Sequence, residues 1–335
     1  MVRKTSIFFL TALSLLFAVT THAASELEER AAIISNARQL LLTGNFSELE
    51  SILTAYKKDK SRTPSGLWKF GLIYAAIEDL ATELSENGDF AGLEALGAVM
   101  QRWAQQFPTS PSPHIAYSEV LVRHGWAYRG GGPASTVKPE SWKQFRHYVA
   151  LARDNLSKHK SISSIDPLWY TVMLTIARAQ NWNYLDFETL LNEALDKEPY
   201  FYPTYFSALP YLLPQWHGDL VKIDRFARDA VRRTIKVEGQ SMYARIYWYA
   251  SQTEYGSKLF SDSGVVWQRM KTGFDDVVAR YPDAWNLNNY AKFACMARDK
   301  GVAKQMLQRT QTIVVPQAWP SPTSRQECLA WVQKP

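Results

Sequence analysis

The sequence predicts an all-α fold, an α–α superhelix of stacked antiparallel helical hairpins. Three observations predict it. Apolar residues recur at helical spacing, while strand-like alternation is nearly absent; the one β-like run, Thr312-Ile313-Val314-Val315, is short and ends at Pro316. Start and stop signals recur along the chain, and most connections are short, which implies helical hairpins. Three junctions, RWAQQFPTSP, NEALDKEPYF and VVARYPDAWN, end a helix just before Pro108, Pro199 and Pro282 and then open another. That punctuation is tetratricopeptide-like, with irregular spacing. A hairpin cannot bury both faces alone, so the array must stack into a curved body with a concave surface.

The elements follow in order. Residues 1–23 read as an export signal. Arg3 and Lys4 give a positive start, 7–19 is an apolar run, and Thr21-His22-Ala23 places small residues where a signal peptidase cuts. The run is shorter than the roughly 20 residues that span a bilayer, which argues against an uncleaved anchor. Cleavage after Ala23 leaves 335 − 23 = 312 residues, read as a single helical domain over 24–335. No cysteine stands immediately after the cut, against a lipid anchor, and no later stretch is apolar enough to cross a membrane. The expected location is periplasmic or secreted.

Helices are then expected over 27–42, ending at Gly44, and over 46–56, 67–84, 90–107, 113–129 and 142–156. Asp166-Pro167 is an N-cap followed by proline at the first helical position. From there Leu168, Val172, Ile176 and Ala179 form one stripe, and Trp169, Met173 and Ala177 its neighbour. So wide an apolar face suits a helix buried on two sides. Later helices are expected over 187–195, 220–235, 242–255, 265–281, 285–296 and 302–310, with loops at 130–139, 256–264 and 313–325.

The formal charge is +6, or +4 once Arg3 and Lys4 leave. No basic block of five or more appears, so nucleic acid is not an expected partner. The 12 Trp, 17 Tyr and 15 Phe exceed what needs no comment; core is their default role, with Tyr and Trp also suited to binding surfaces. The two cysteines, Cys295 and Cys328, are expected to form a disulfide in an oxidising compartment, the competing reading being two separate buried thiols.

Two stretches carry candidate site residues. In HIAYSEVLVRHGWAYRGGGPAS, Ile115, Val122 and Trp126 share one side of a helix, and Tyr117, Leu121, His124 and Tyr128 another. Glycine inside a helix costs about 1 kcal/mol against alanine, so Gly125 predicts close approach of a neighbouring helix. Glu119 and Arg123 have the spacing of an i,i+4 pair. Gly130-Gly131-Gly132 ends the helix, and because it follows a helix it is no phosphate cradle. In YFYPTYFSALPYLLPQWHGD, Pro203 opens a helix, Pro210 kinks it, and Trp216-His217-Gly218 closes it. Two helices of similar rank are expected to bring Trp126, Tyr128, Arg129, Trp216 and His217 to one rim. Core packing and helix capping are the competing explanation for the same residues.

These stretches, with DPLWYTVMLTIARAQNW, YARIYW and RYPDAWNLNNYAKFAC, occur in an order that resembles a bacterial family catalogued as domain of unknown function 4034. The resemblance spans roughly residues 64 to 300. It implies a tetratricopeptide-type helical fold and supplies no catalytic residues.

Little points to chemistry. His114, His124, His147 and His217 are scattered and do not make a zinc helix, and no metal or cofactor is expected. Ser157-Lys158-His159-Lys160 and Lys271-Thr272-Gly273 match serine-enzyme elements, but the second lies in a helical pattern and not on a strand. Glu119, with Glu78 or Asp79, is the best candidate pair for glycan hydrolysis. The expected function is an exported binding or scaffold module for a protein or peptide partner in the cell envelope. A cell-envelope hydrolase of a glycan or peptide polymer, and a small-ligand receptor, are the alternatives.

Overall fold

The computed structural model describes residues 25–334; the export-signal reading lies outside them. The described residues are all-helical, without strands, and their helices run as hairpins. α1 (Glu26–Thr43) returns along α2 (Phe46–Lys58), α3 (Lys69–Glu86) along α4 (Phe90–Gln106), and α5 (Pro111–Arg129) along α6 (Pro139–Lys158). A short α7 (Lys160–Ser163) leads to α8 (Pro167–Ala179) and α9 (Tyr184–Lys197). α10 (Tyr202–Ala208) passes at Pro210 into a 3₁₀ turn before α11 (Leu220–Glu238). α12 (Ser241–Ala250), the short α13 (Leu259–Asp262) and α14 (Trp267–Arg280) follow, then α15 (Ala284–Met296), α16 (Lys300–Arg309) and α17 (Ser324–Gln333).

The starts have local chemical causes. Side chains of Asn45, Asp89, Asp166, Asn183, Asp219, Asp283 and Asp299 each accept from a backbone N–H of the helix they open. Such caps satisfy donors that a helix leaves unpaired. Ser25 and Glu28 form a reciprocal capping box on α1.

Several elements differ from expectation, among them α13 inside the loop expected over 256–264. α12 stops at Ala250 and widens into a π turn over Ser251–Tyr255. The run 312–315 is not a strand; among the described residues the one isolated bridge joins Arg62 to Trp68. α17 lies where no helix was expected. Cys328 on α17 and Cys295 on α15 are joined as a disulfide, with Cα atoms 6.0 Å apart.

The first helices of the hairpins pack side by side, α1 on α3, α3 on α5, α5 on α8, α8 on α10 and α10 on α12. The curve then returns, because α15 packs against α1. The segment 59–68 crosses one end of the enclosed space. The Ser65 carbonyl accepts from Arg245 Nη2 at 3.0 Å and from Asn286 Nδ2 at 3.2 Å. Trp68 Nε1 donates to the Tyr200 carbonyl at 2.8 Å. Glu26, the first residue of α1, is buried and accepts from Thr63 Oγ1, Ser65 N and Ser65 Oγ at 2.9, 2.8 and 2.7 Å, and from Arg30. Apolar packing is continuous from Ala37 to Val332. Most tyrosines of α8, α10, α12 and α15 belong to it: Tyr170, Tyr202, Tyr205, Tyr243, Tyr247 and Tyr290 are buried.

Candidate functional site

The inner helices enclose a cavity of about 610 Å³, within the range typical of ligand sites. α3 contributes Gly71 to Glu78, α5 Glu119 to Trp126, α8 Leu168 to Arg178, and α10 with its 3₁₀ turn Pro203 to Pro210. Leu67 and Trp68, from the crossing segment, lie at one end. Ten residues separate Leu168 from Arg178, which at 1.5 Å per residue is a depth of about 15 Å. On its other side α5 lies close to α6, because Gly125 has no side chain. A Cβ there would come within 3.2 Å of the Phe145 carbonyl on α6.

Charged groups gather at the far end. Arg123 Nε donates to Glu119 at 2.8 Å, and the same guanidinium also pairs with Glu78. Burial alone would lower the Arg123 pKa, but Glu119 and Glu78 outweigh it and hold the guanidinium above its usual range. Burial, then the Glu119 charge, raises the Glu78 carboxyl. About half of the Glu78 side-chain surface is accessible. Glu78 also lines the cavity, and this exposure limits how far burial can act on it.

Arg178 is different. It lines the same cavity and makes no hydrogen bond or ion pair with any described residue, and its Nε is buried without a partner. Its guanidinium lies between two indoles, 5.5 Å from the Trp126 ring centre and 4.8 Å from that of Trp216. Cation–π attraction of this kind contributes about 0.5–2 kcal/mol, less than the cost of withdrawing the charge from water. Burial lowers the Arg178 pKa, and Arg123 and Arg129 act in the same direction.

The expected rim is therefore only partly assembled. Trp126 and Trp216 meet across Arg178. Arg129 stacks on Trp126 and Trp142, each 5.4 Å away, and its Nη1 donates to the carbonyls of Gly130 and Gly132. It thereby fastens the glycine loop. Glu119 lies in the cavity on Arg123. His124 and Tyr128 point elsewhere, into an aromatic stack with Phe90 and Tyr148. Burial lowers the His124 pKa, so the ring is neutral packing. His217 stacks on Tyr211 at 4.4 Å, away from the indole pair.

Other sequence candidates resolve into packing. His114 stacks on His159 at 3.8 Å, His124 and His147 contact Tyr148, and His217 stacks on Tyr211, so the four candidate histidines share no site. Among the described residues no group of three or more His, Cys, Asp or Glu is placed to hold a metal. No helix among them is long and apolar enough to cross a membrane. Lys271-Thr272-Gly273 lies inside α14, where Gly273 lets α14 press against α12.

Sequence reasoning missed Arg178, which reads as an ordinary basic residue near a helix end. A signal was present. Thr171, Thr175 and Arg178 form a polar line through a helix that is otherwise apolar on two sides. Such a line marks a third face turned toward a polar interior. No family model, curated protein or solved structure matches the chain.

Proposed function

We propose that the chain is an exported binding protein of the cell envelope that takes a short segment of a peptide or protein partner into its concave cavity. An acidic or strongly accepting group of that segment sits on Arg178, whose guanidinium the Trp126 and Trp216 rings hold in place. The supporting observation is Arg178 itself. The half-buried guanidinium is held by aromatic rings, finds no acceptor among the described residues, and has its Nε buried without a partner. Burial without an acceptor costs free energy that a bound anion would recover. The export signal and the family resemblance of residues 64 to 300 belong to the same proposal. A pull-down from the cell envelope under gentle crosslinking tests it. Wild type is expected to recover a specific partner and Arg178→Gln to lose it; no specific partner, or equal recovery by both, contradicts the proposal.

A second reading has one observation in its favour. Glu78 and Glu119, paired in the sequence analysis as hydrolytic candidates, meet on a single guanidinium in the cavity, and the Glu78 carboxyl is raised. A carboxyl raised by burial beside a second carboxyl suits the general-acid role. Release of soluble fragments from purified cell wall, lost in Glu119→Gln, would select this reading over binding.

A further inference from the structure

A second, smaller recess of about 160 Å³ adjoins the cavity, and Leu67, Phe206 and Tyr249 line both. It lies toward the crossing segment, where Ser65, Arg245 and Asn286 meet. Each of these is almost fully buried. Arg245 has no carboxylate within ion-pair distance among the described residues. Its Nη2 donates to the Ser65 carbonyl at 3.0 Å, its Nε is buried without a partner, and its Nη1 makes no hydrogen bond. Its charge is flanked by the Tyr202 and Tyr281 rings at 4.7 and 5.6 Å. Asn286 spends its Nδ2 on the Ser65 and Tyr281 carbonyls and leaves Oδ1 buried and unpaired. The recess thus combines an uncommitted cationic donor set with an uncommitted acceptor. Arg30, the other cation on its wall, is already committed to Glu26.

From this pairing we infer that the recess is a subsite for the C-terminal residue of a peptide. The terminal carboxylate lies on Arg245, and the amide N–H of that residue donates to Asn286 Oδ1. Guanidinium donors match a carboxylate in charge and geometry, and terminal-carboxylate capture is a recurring mode of peptide recognition. The preceding residues continue past Phe206 and Tyr249 into the larger cavity toward Arg178. A free amino acid offers the same carboxylate and N–H donor but has no chain to occupy the larger cavity. This inference rests on the binding reading above and adds which end of the segment enters first.

The test uses a pool of N-acetylated tripeptides as free acids, the same pool as C-terminal amides, and a mixture of free amino acids. Affinities are compared by thermal shift and calorimetry on wild type, Arg245→Lys and Arg178→Gln. Arg245→Lys keeps the charge near the Ser65 carbonyl but removes the planar fork. The free acids are expected to bind wild type at least tenfold more tightly than the amides and the amino acids. Arg245→Lys is expected to abolish that preference. Equal binding of acids and amides, weakened by Arg178→Gln, would overturn the inference while sparing the cavity reading. Amino acids that bind as tightly as the peptides would also overturn it. Binding by none of the three would end both the inference and the peptide reading. The acid–amide comparison on wild type stands even if Arg245→Lys fails to fold.

Discussion

Replacing Glu26 with glutamine should loosen the seam that closes the structure. The Glu26 carboxylate is 2% exposed and accepts from Thr63 Oγ1, Ser65 N, Ser65 Oγ and Arg30. Ser65 in turn anchors Arg245 of α12 and Asn286 of α15. Glutamine keeps the shape but removes the charge and turns an N–H₂ toward groups that are themselves donors. Breaking a buried charge pair costs about 3–5 kcal/mol. Arg30 is 21% exposed and so keeps some water, which favours the lower end, about 3 kcal/mol. With an unfolding entropy of about 2.1 cal/mol/K per residue, roughly 310 residues give about 0.65 kcal/mol/K, so Tm should fall by about 5 °C. Calorimetry measures the shift, and amide exchange should show faster opening at Ser65. A change under about 1 °C with unaltered Ser65 protection would refute the assignment of this seam.

Other substitutions probe the packing. Burial lowers the Lys292 ammonium from 10.5 to about 8. The unfolded chain then holds that proton more tightly, so the charge destabilises the fold below pH 8, and the penalty fades as pH rises toward 10.5. Lys292→Met should stabilise by about 1–3 kcal/mol at pH 7 after its Asn289 bond is lost, with the gain vanishing in urea melts near pH 10.5. Gly273→Ala would place a Cβ 2.8 Å from the Gln240 carbonyl and 2.9 Å from Ala244 Cβ; urea unfolding should report a loss of about 1–3 kcal/mol. Cys328→Ser should lower stability by about 3–4 kcal/mol, and reduced wild type should melt at the same temperature as the variant.

Much of the fold was legible because it is written in local chemistry. The Asp166-Pro167 start and the prolines at 108, 199 and 282 act within a few residues of where they stand, so helix ends could be read directly. α17 was not legible. It buries only Cys328 and Val332, and it is held by the disulfide and by α16 instead of by a strong apolar stripe of its own. The π turn after Ala250 was equally hidden, since the sequence continues helically through Tyr255. Closure of the ring depends on contacts such as Ser65 with Asn286, 221 positions apart, which no local pattern encodes. The same distance problem governed the site. Trp126 and Trp216 are legible as aromatics near helix ends, but the cation they share, Arg178, comes from a third helix.

Binding inside the ring, and not on its outer face, is tested most directly by placing a diazirine side chain at two positions in turn. Thr175 lines the cavity on α8, whereas Leu185 on α9 is 70% exposed on the outside. After illumination in cell-envelope extract, the Thr175 probe should crosslink to a defined partner segment and the Leu185 probe should not. Crosslinking at Leu185 alone would place the partner on the convex surface and contradict a role for the Arg178 cavity.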